Sequence, residues 1–189
     1  MLAQIISLIV DTLGSLFVYL LLLRFHMQWT RAPFRNPVGE MIAGLTNWLV
    51  LPARRVIPGL LGLDMATLLL AWLAQSLITA LLMSLQGHDF GNPGVAVLIL
   101  ASVSAGELLI LSIYLLIGAA IVQAILSFIS PYSVLSPVLD ALTRPFYKPF
   151  RRFIPPLGGI DLSPLFLVLA AQIAIMLLRQ LKMMAIAPF

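Results

Sequence analysis

Four apolar runs, at about residues 2–27, 65–85, 106–129 and 162–178, constrain this chain more than any other feature of it. A hydrocarbon core of about 30 Å takes about 20 helical residues to cross. Lipid offers the backbone no hydrogen-bond partners, so runs of this length and polarity read as spanning helices. The third run begins upstream, at residue 95, and is longer than one crossing requires. Ala105-Gly106-Glu107 either divides it into a lead-in helix and a span, or the whole run is one long tilted helix. Composition points the same way. The chain is 61% hydrophobic and 10% charged with a mean hydropathy of +1.08, where soluble domains are nearer half apolar and a quarter charged. The N-terminus lacks the basic region and small-residue cleavage site of a secretory signal, so the first run is expected to be a retained anchor.

Between the spans one pattern is written twice. Pro52, Arg54, Arg55, Ile57, Pro58, Gly62 and Asp64 correspond to Pro149, Arg151, Arg152, Ile154, Pro155, Gly159 and Asp161 at a constant offset of 97. Ahead of the first copy, Asn36-Pro37 is a helix start, a capping side chain followed by proline at the first helical position. Val38, Met41, Ile42, Leu45, Trp48 and Leu49 then recur at helical spacing, and Pro52 is expected to end the helix. In the second copy Ser136-Pro137 is the start signal, three residues later than the offset requires, with Leu135, Leu139, Leu142 and Phe146 on the apolar face. Helices this short either lie in the headgroup plane or dip in and return. Asp64 and Asp161 stand where the following spans begin, and an aspartate there caps free amides at the positive end of the helix dipole. The fold class expected is all-α integral membrane. Four transmembrane helices form two tandem hairpins of the same orientation, residues 1–94 and 95–189, each with an amphipathic interfacial or re-entrant loop helix.

Charge placement sets the expected topology. Of the eleven Lys and Arg residues, nine lie in or beside the two loops, and only Arg179 and Lys182 lie on the other side. The positive-inside rule places both loops in the cytoplasm and both termini outside. Two spans per repeat make the copies parallel and relate them by an approximate two-fold axis along the membrane normal. Inverted repeats need an odd number of spans, which argues against alternating access within one chain. The net charge of +4 belongs to this topology and calls for no nucleic acid.

Several residues carry a second meaning. Arg54, Arg55, Arg151 and Arg152 either snorkel to anionic phospholipid as topology determinants or form a guanidinium cluster. Such a cluster would bind phosphate headgroups, an acidic partner, or Asp64 and Asp161. The two aspartates are caps, or they tie each loop back to its arginines. Asp11 and Glu107 lie in apolar stretches at nearly equivalent positions, and intramembrane acids are functional candidates. They either share a proton, reach the outer headgroups or are simply protonated. Gln75 and Gln172 match at the offset of 97 within spans two and four and are expected to serve packing, where such side chains often hydrogen-bond across helices. Arg24 reads as a snorkelling arginine at the end of the first span. The chain has no cysteine and only His26 and His88 as histidines, so no metal site is expected. No nucleophile–base constellation or phosphate-cradling glycine loop is visible, and neither enzymatic activity nor a cofactor is expected.

The repeated residues resemble the YggT (YlmG) family of small membrane proteins. The resemblance is carried by Asn36-Pro37, Thr46, Pro52, Arg54-Arg55, Ile57-Pro58 and Gly62-x-Asp64, and again by Thr143, Pro145, Pro149, Arg151-Arg152, Ile154-Pro155, Gly158-Gly159 and Asp161. Leu22-Leu23-Arg24 and Met27-Gln28-Trp29 extend it. The resemblance implies a bacterial cytoplasmic-membrane protein without established enzymatic activity. It also implies a link to osmotic-stress tolerance and potassium supply, to cell-division gene neighbourhoods and, in plastids, to cytochrome maturation and nucleoid organisation. Two functions are expected from it. One is ion homeostasis, as an oligomeric conduit or its modulator. The other is a scaffold whose basic loops recruit division, envelope or cofactor-maturation proteins. The partners on these readings are anionic lipid headgroups, a second copy of the chain, and a membrane or cytoplasmic protein.

Overall fold

A computed structural model describes residues 1–87, 92–130, 132–153 and 161–186. Pro155, with Ile154, Gly158 and Gly159 of the second motif, and His88 in the short connection lie outside the described residues. Six helices follow in order: α1 (Leu2–Trp29), α2 (Pro37–Val56), α3 (Met65–Leu85), α4 (Pro93–Ile129), α5 (Ser136–Phe153) and α6 (Ser163–Ile186). Of these, α1, α3, α4 and α6 are long and apolar enough to cross a membrane.

The third apolar run is one helix. Its 37 residues would measure about 55 Å at about 1.5 Å per residue, so α4 tilts across a bilayer or projects from it. Gly106 does not break it, because a lone glycine costs a helix only about 1 kcal/mol against alanine. The second-half spans are correspondingly longer than the sequence suggests, residues 93–127 and 163–184.

Pro52 does not end α2, contrary to expectation. The helix runs through it to Val56, and α5 likewise runs through Pro145 and Pro149. Proline removes one ladder bond and crowds the carbonyl four residues earlier. All three prolines are exposed, so the released carbonyls face outward, away from the packed interior. The second motif's helix also starts late, at Ser136 rather than at the offset partner of Pro37.

The apolar face of α2 is divided. Ile42, Thr46 and Val50 are buried, while Met41, Leu45 and Trp48 face outward at 51, 50 and 66% exposure. In α5 the buried side is Val138, Leu142, Thr143 and Tyr147, and the exposed side carries Arg144, Lys148, Arg151 and Arg152. The two loop helices thus present different chemistry outward, one apolar and one basic.

Packing follows the chain. α1 lies chiefly along α3 and α4 along α6, with α3 against α4 joining the halves. One apolar cluster, of Val18, Leu21, Leu22, Val50, Ala71, Ile78 and Leu108, ties α1, α2, α3 and α4. A second brings Met27, Ile42, Ala119, Val138 and Leu142 together where both loop helices meet α1 and α4. At one corner the halves differ. The backbone of α5 comes close to that of α1, whereas among the described residues α2 meets α4 only through side chains such as Ile42 beside Ala119.

Candidate functional site: two arginine–aspartate clasps and a polar chamber

The repeated motif builds a clasp between the end of one helix and the start of the next. α2 begins with Asn36, whose side chain accepts from the Gly39 amide at 3.0 Å. Its last turn carries Arg54 and Arg55. Ile57 is extended and Pro58 is exposed beyond it, in keeping with the extended conformation that a proline favours in the residue before it. The chain then reverses through Leu60–Leu63, which exchange backbone bonds of 3.1 and 2.8 Å. Leu61 and Gly62 both have positive φ, 53° and 81°. That is the requirement of a type I′ turn and the reason the motif holds a glycine there.

The reversal delivers Asp64 to Arg54. The guanidinium donates to both carboxylate oxygens, from Nε at 3.3 Å and from Nη2 at 2.6 Å. Asp64 also caps α3, accepting from the Thr67 amide at 3.4 Å and from the Thr67 hydroxyl. One carboxylate therefore closes the loop and starts the span. Burial raises the Asp64 carboxyl, but the bonds from Arg54 and Thr67 outweigh it and leave the pKa below the ordinary value.

The second copy repeats the arrangement. Arg151 donates to Asp161 from Nε at 3.0 Å and lies 2.9 Å from it through Nη2. Asp161 accepts from the Ser163 amide at 2.9 Å. Burial raises this carboxyl too, and the Ser163 and Arg151 bonds bring it below its usual range. Arg151 also stands 5.2 Å over the Tyr147 ring, a cation–π distance. Burial pushes the Tyr147 hydroxyl up to about 12. The two clasps differ in exposure: the Asp64 side chain is 11% exposed and the Asp161 side chain 37%. Within each arginine pair the structure brings the first residue to the aspartate, while Arg55 and Arg152 are exposed.

A second link, absent from the candidate set drawn from sequence, anchors each loop helix to the span before it. Thr46 and Thr143 are fully buried. Arg24 donates to the Thr46 hydroxyl at 2.6 Å, and that hydroxyl donates to the Ile42 carbonyl. Thr143 bonds the Leu139 carbonyl at 2.8 Å and the Gln123 amide at 2.5 Å. Both contacts are to acceptor oxygens, the Leu139 carbonyl and Gln123 Oε1, between which the single hydroxyl proton of Thr143 is shared. Arg24 is 4% exposed and turns inward to Thr46 through Nη1 instead of snorkelling, its Nε being buried without a partner among the described residues. The repetition of threonine at the shared offset was the available signal.

At the end of the bundle away from the motifs, the four spans line a half-open polar chamber of 440 Å³. Asp11 and Ser15 line it from α1, Gln75 and Thr79 from α3, Glu107 from α4 and Lys182 from α6. Asp11 is exposed and accepts from Ser15 at 3.3 Å. The partner of Glu107 is Lys182, with which it forms an ion pair. Gln75 donates to Thr79 on its own helix at 3.5 Å, and its buried Oε1 has no partner among the described residues. Gln75 is packed inside the bundle as expected and Gln172 is exposed, and among the described residues neither forms a hydrogen bond to another helix. Lys182, which sequence placed merely at a helix end, is the residue that completes the chamber. Among the described residues no group of histidine, cysteine or carboxylate side chains could hold a metal.

Four apolar spanning helices, joined in each half by a clasped loop, define an all-α multi-pass membrane protein. The CCB3/YggT family model matches twice, as the clasp is built twice, over residues 3–86 and 102–182. The chain belongs to that family. It is 38% identical over 171 residues to the uncharacterized protein PA0392 of Pseudomonas aeruginosa, covering 89% of this chain and 85% of the relative. An uncharacterized protein of Vibrio alginolyticus is 35% identical, with 89 and 90% covered. The uncharacterized protein YggT of Escherichia coli K12 is 33% identical, with 87 and 84% covered. No solved structure matches.

Proposed function

We propose that the chain is a non-enzymatic protein of the bacterial cytoplasmic membrane that supports ion homeostasis under osmotic stress. It acts as an oligomeric conduit or as a modulator of one, and potassium is the ion that the family resemblance suggests. The observation that carries this reading is the chamber among all four spans, where Asp11, Gln75, Glu107 and Lys182 converge. Charged groups at such depth are costly, and they mark ion and proton pathways when they face a shared cavity. The apolar clusters between the chamber and the motif end leave a single copy without a polar route, so conduction on this reading needs a second copy or a partner. The basic loops face the cytoplasm by the positive-inside rule, and both termini lie outside. The two halves are parallel hairpins. Their loop helices lie in the headgroup plane, with the outward apolar residues of α2 toward lipid.

A second reading rests on the exposed Arg55, Arg152 and Lys148, which suit recruitment of an acidic cytoplasmic partner to the loops. One comparison separates the readings. Purified protein in liposomes is assayed for potassium and proton flux, beside a double variant Asp11→Asn with Glu107→Gln. Flux that the double variant loses supports the chamber. Flux indifferent to it removes both acids from any conduction model, and loop-dependent co-purification without flux favours recruitment.

A further inference from the structure

The backbones of α5 and α1 come close at a corner where, among the described residues, those of α2 and α4 do not, and two cavities lie there on either side of Trp29. The first is a groove of 660 Å³ at the motif end, lined by Trp29, Thr30 and Arg31 of the α1 terminus and by Asp140, Arg144 and Lys148 of α5. The second, of 230 Å³, is almost wholly apolar and lies between α1, α4, α5 and α6. Its walls include Leu109, Ile113 and Leu116, which run down α4 from the groove toward the interior of the membrane. Trp29 lines both cavities and packs edge-on against Phe146 with ring centroids 6.0 Å apart.

The charges in the groove are unequal. Arg31, Arg144 and Lys148 contribute three positive charges. Asp140, paired with Arg144 at 2.5 Å, contributes one negative, so the groove keeps an excess of two. Arg31 is also held in an unusual backbone position. α1 ends with the Arg31 amide bonded to the Gln28 carbonyl at 3.1 Å and the Ala32 amide to the Met27 carbonyl at 2.7 Å. This is the Schellman closure, whose left-handed residue is ordinarily glycine. Here that residue is Arg31, at φ 57°. An arginine where glycine would be comfortable keeps a guanidinium at the mouth of the groove.

A basic groove on one side of Trp29 and an apolar slot along α4 on the other side of the same ring match one kind of molecule. We propose that the α1–α5 corner binds a single anionic phospholipid. Its phosphate lies among Arg31, Arg144 and Lys148, and part of one acyl chain lies in the slot beneath Trp29. Basic pockets between spans are suited to such headgroups. Phosphatidylglycerol and cardiolipin have the required charge, whereas phosphatidylcholine offers a phosphate compensated by its own cation.

The test uses the full chain, purified and delipidated in neutral detergent, with bound lipid counted by native mass spectrometry and by the shift in melting temperature on lipid addition. Phosphatidylglycerol should bind in preference to phosphatidylcholine, and millimolar inorganic phosphate should not displace it. Arg31→Gly and Lys148→Gln should each weaken binding about fivefold, the equivalent of about 1 kcal/mol per removed charge near a headgroup. Arg31→Gly should leave the melting temperature of the lipid-free protein unchanged or raised, since glycine suits the left-handed position. Leu116→Trp should fill the slot and weaken long-chain more than short-chain phosphatidylglycerol. Arg35→Gln, an equal loss of charge from an exposed position outside the groove, should change nothing. Equal binding of phosphatidylcholine, displacement by free phosphate, or an Arg35→Gln effect as large as that of Arg31→Gly would each overturn the proposal.

Discussion

Asp64 has two tasks, and two substitutions separate them. Asp64→Asn keeps an oxygen for the Thr67 amide and removes the charge facing Arg54, whereas Asp64→Ala removes both. An N-cap is worth about 1 kcal/mol and a partly exposed ion pair at most about the same. Thermal unfolding in detergent should show Asp64→Ala losing about 2 kcal/mol and Asp64→Asn about half of that. The pH dependence has a definite sign. The folded carboxyl titrates below its ordinary value of 3.8, so its contribution is present above that value and is lost as pH falls through the folded pKa. The melting temperature of the parent should therefore fall below about pH 4, and Asp64→Asn should flatten that fall. The more exposed Arg151–Asp161 clasp should contribute less to the same curve, since solvent screens it.

Two glycines within α2 make opposite claims on their helix. A Cβ at Gly39 would stand 2.3 Å from the Phe34 carbonyl oxygen, a backbone atom that cannot rotate away. A Cβ at Gly44 would meet nothing within 4 Å. Gly39→Ala should cost about 2–3 kcal/mol by overpacking the turn into the helix. Gly44→Ala should gain about 0.5–1 kcal/mol from helix propensity alone. Melting of the two variants side by side checks both signs. At this scale much was readable from sequence: the Asn36-Pro37 start, the caps at Asp64 and Asp161, and the late start at Ser136 follow local rules that the chain obeys. The passage of α2 and α5 through their prolines was not readable. A proline's effect depends on whether its side of the helix is exposed, and exposure is a tertiary property. The same reason divides the apolar residues of α2. Spacing places Met41 and Ile42 on one broad face, and only the packed neighbours decide which of them turns inward.

Across the whole molecule the duplication is close at the motif end and loose elsewhere. The clasp and the buried threonine recur in both halves, because each rests on residues that a constant offset preserves. The chamber does not repeat. Glu107 finds Lys182 from the far end of the chain, and Asp11 finds only Ser15 on its own helix. A sequence comparison by offset pairs Asp11 with Glu107 and gives no sign that the partner of Glu107 is Lys182. The basic corner was hidden for a related reason. Arg31, Arg144 and Lys148 are distant in sequence and belong to different halves, and nothing short of the fold brings them to one groove.

Because each half carries its own clasp and its own anchored loop helix, neither depends on the other to close its hairpin. Covalent continuity between residues 87 and 92 is then a convenience of synthesis rather than a requirement of assembly. Two genes encoding residues 1–89 and 90–189 should give fragments that insert separately and co-purify through the α3–α4 seam. Disruption of either clasp should destabilise its own fragment and lower co-purification of the pair, while the other fragment, expressed alone, still inserts.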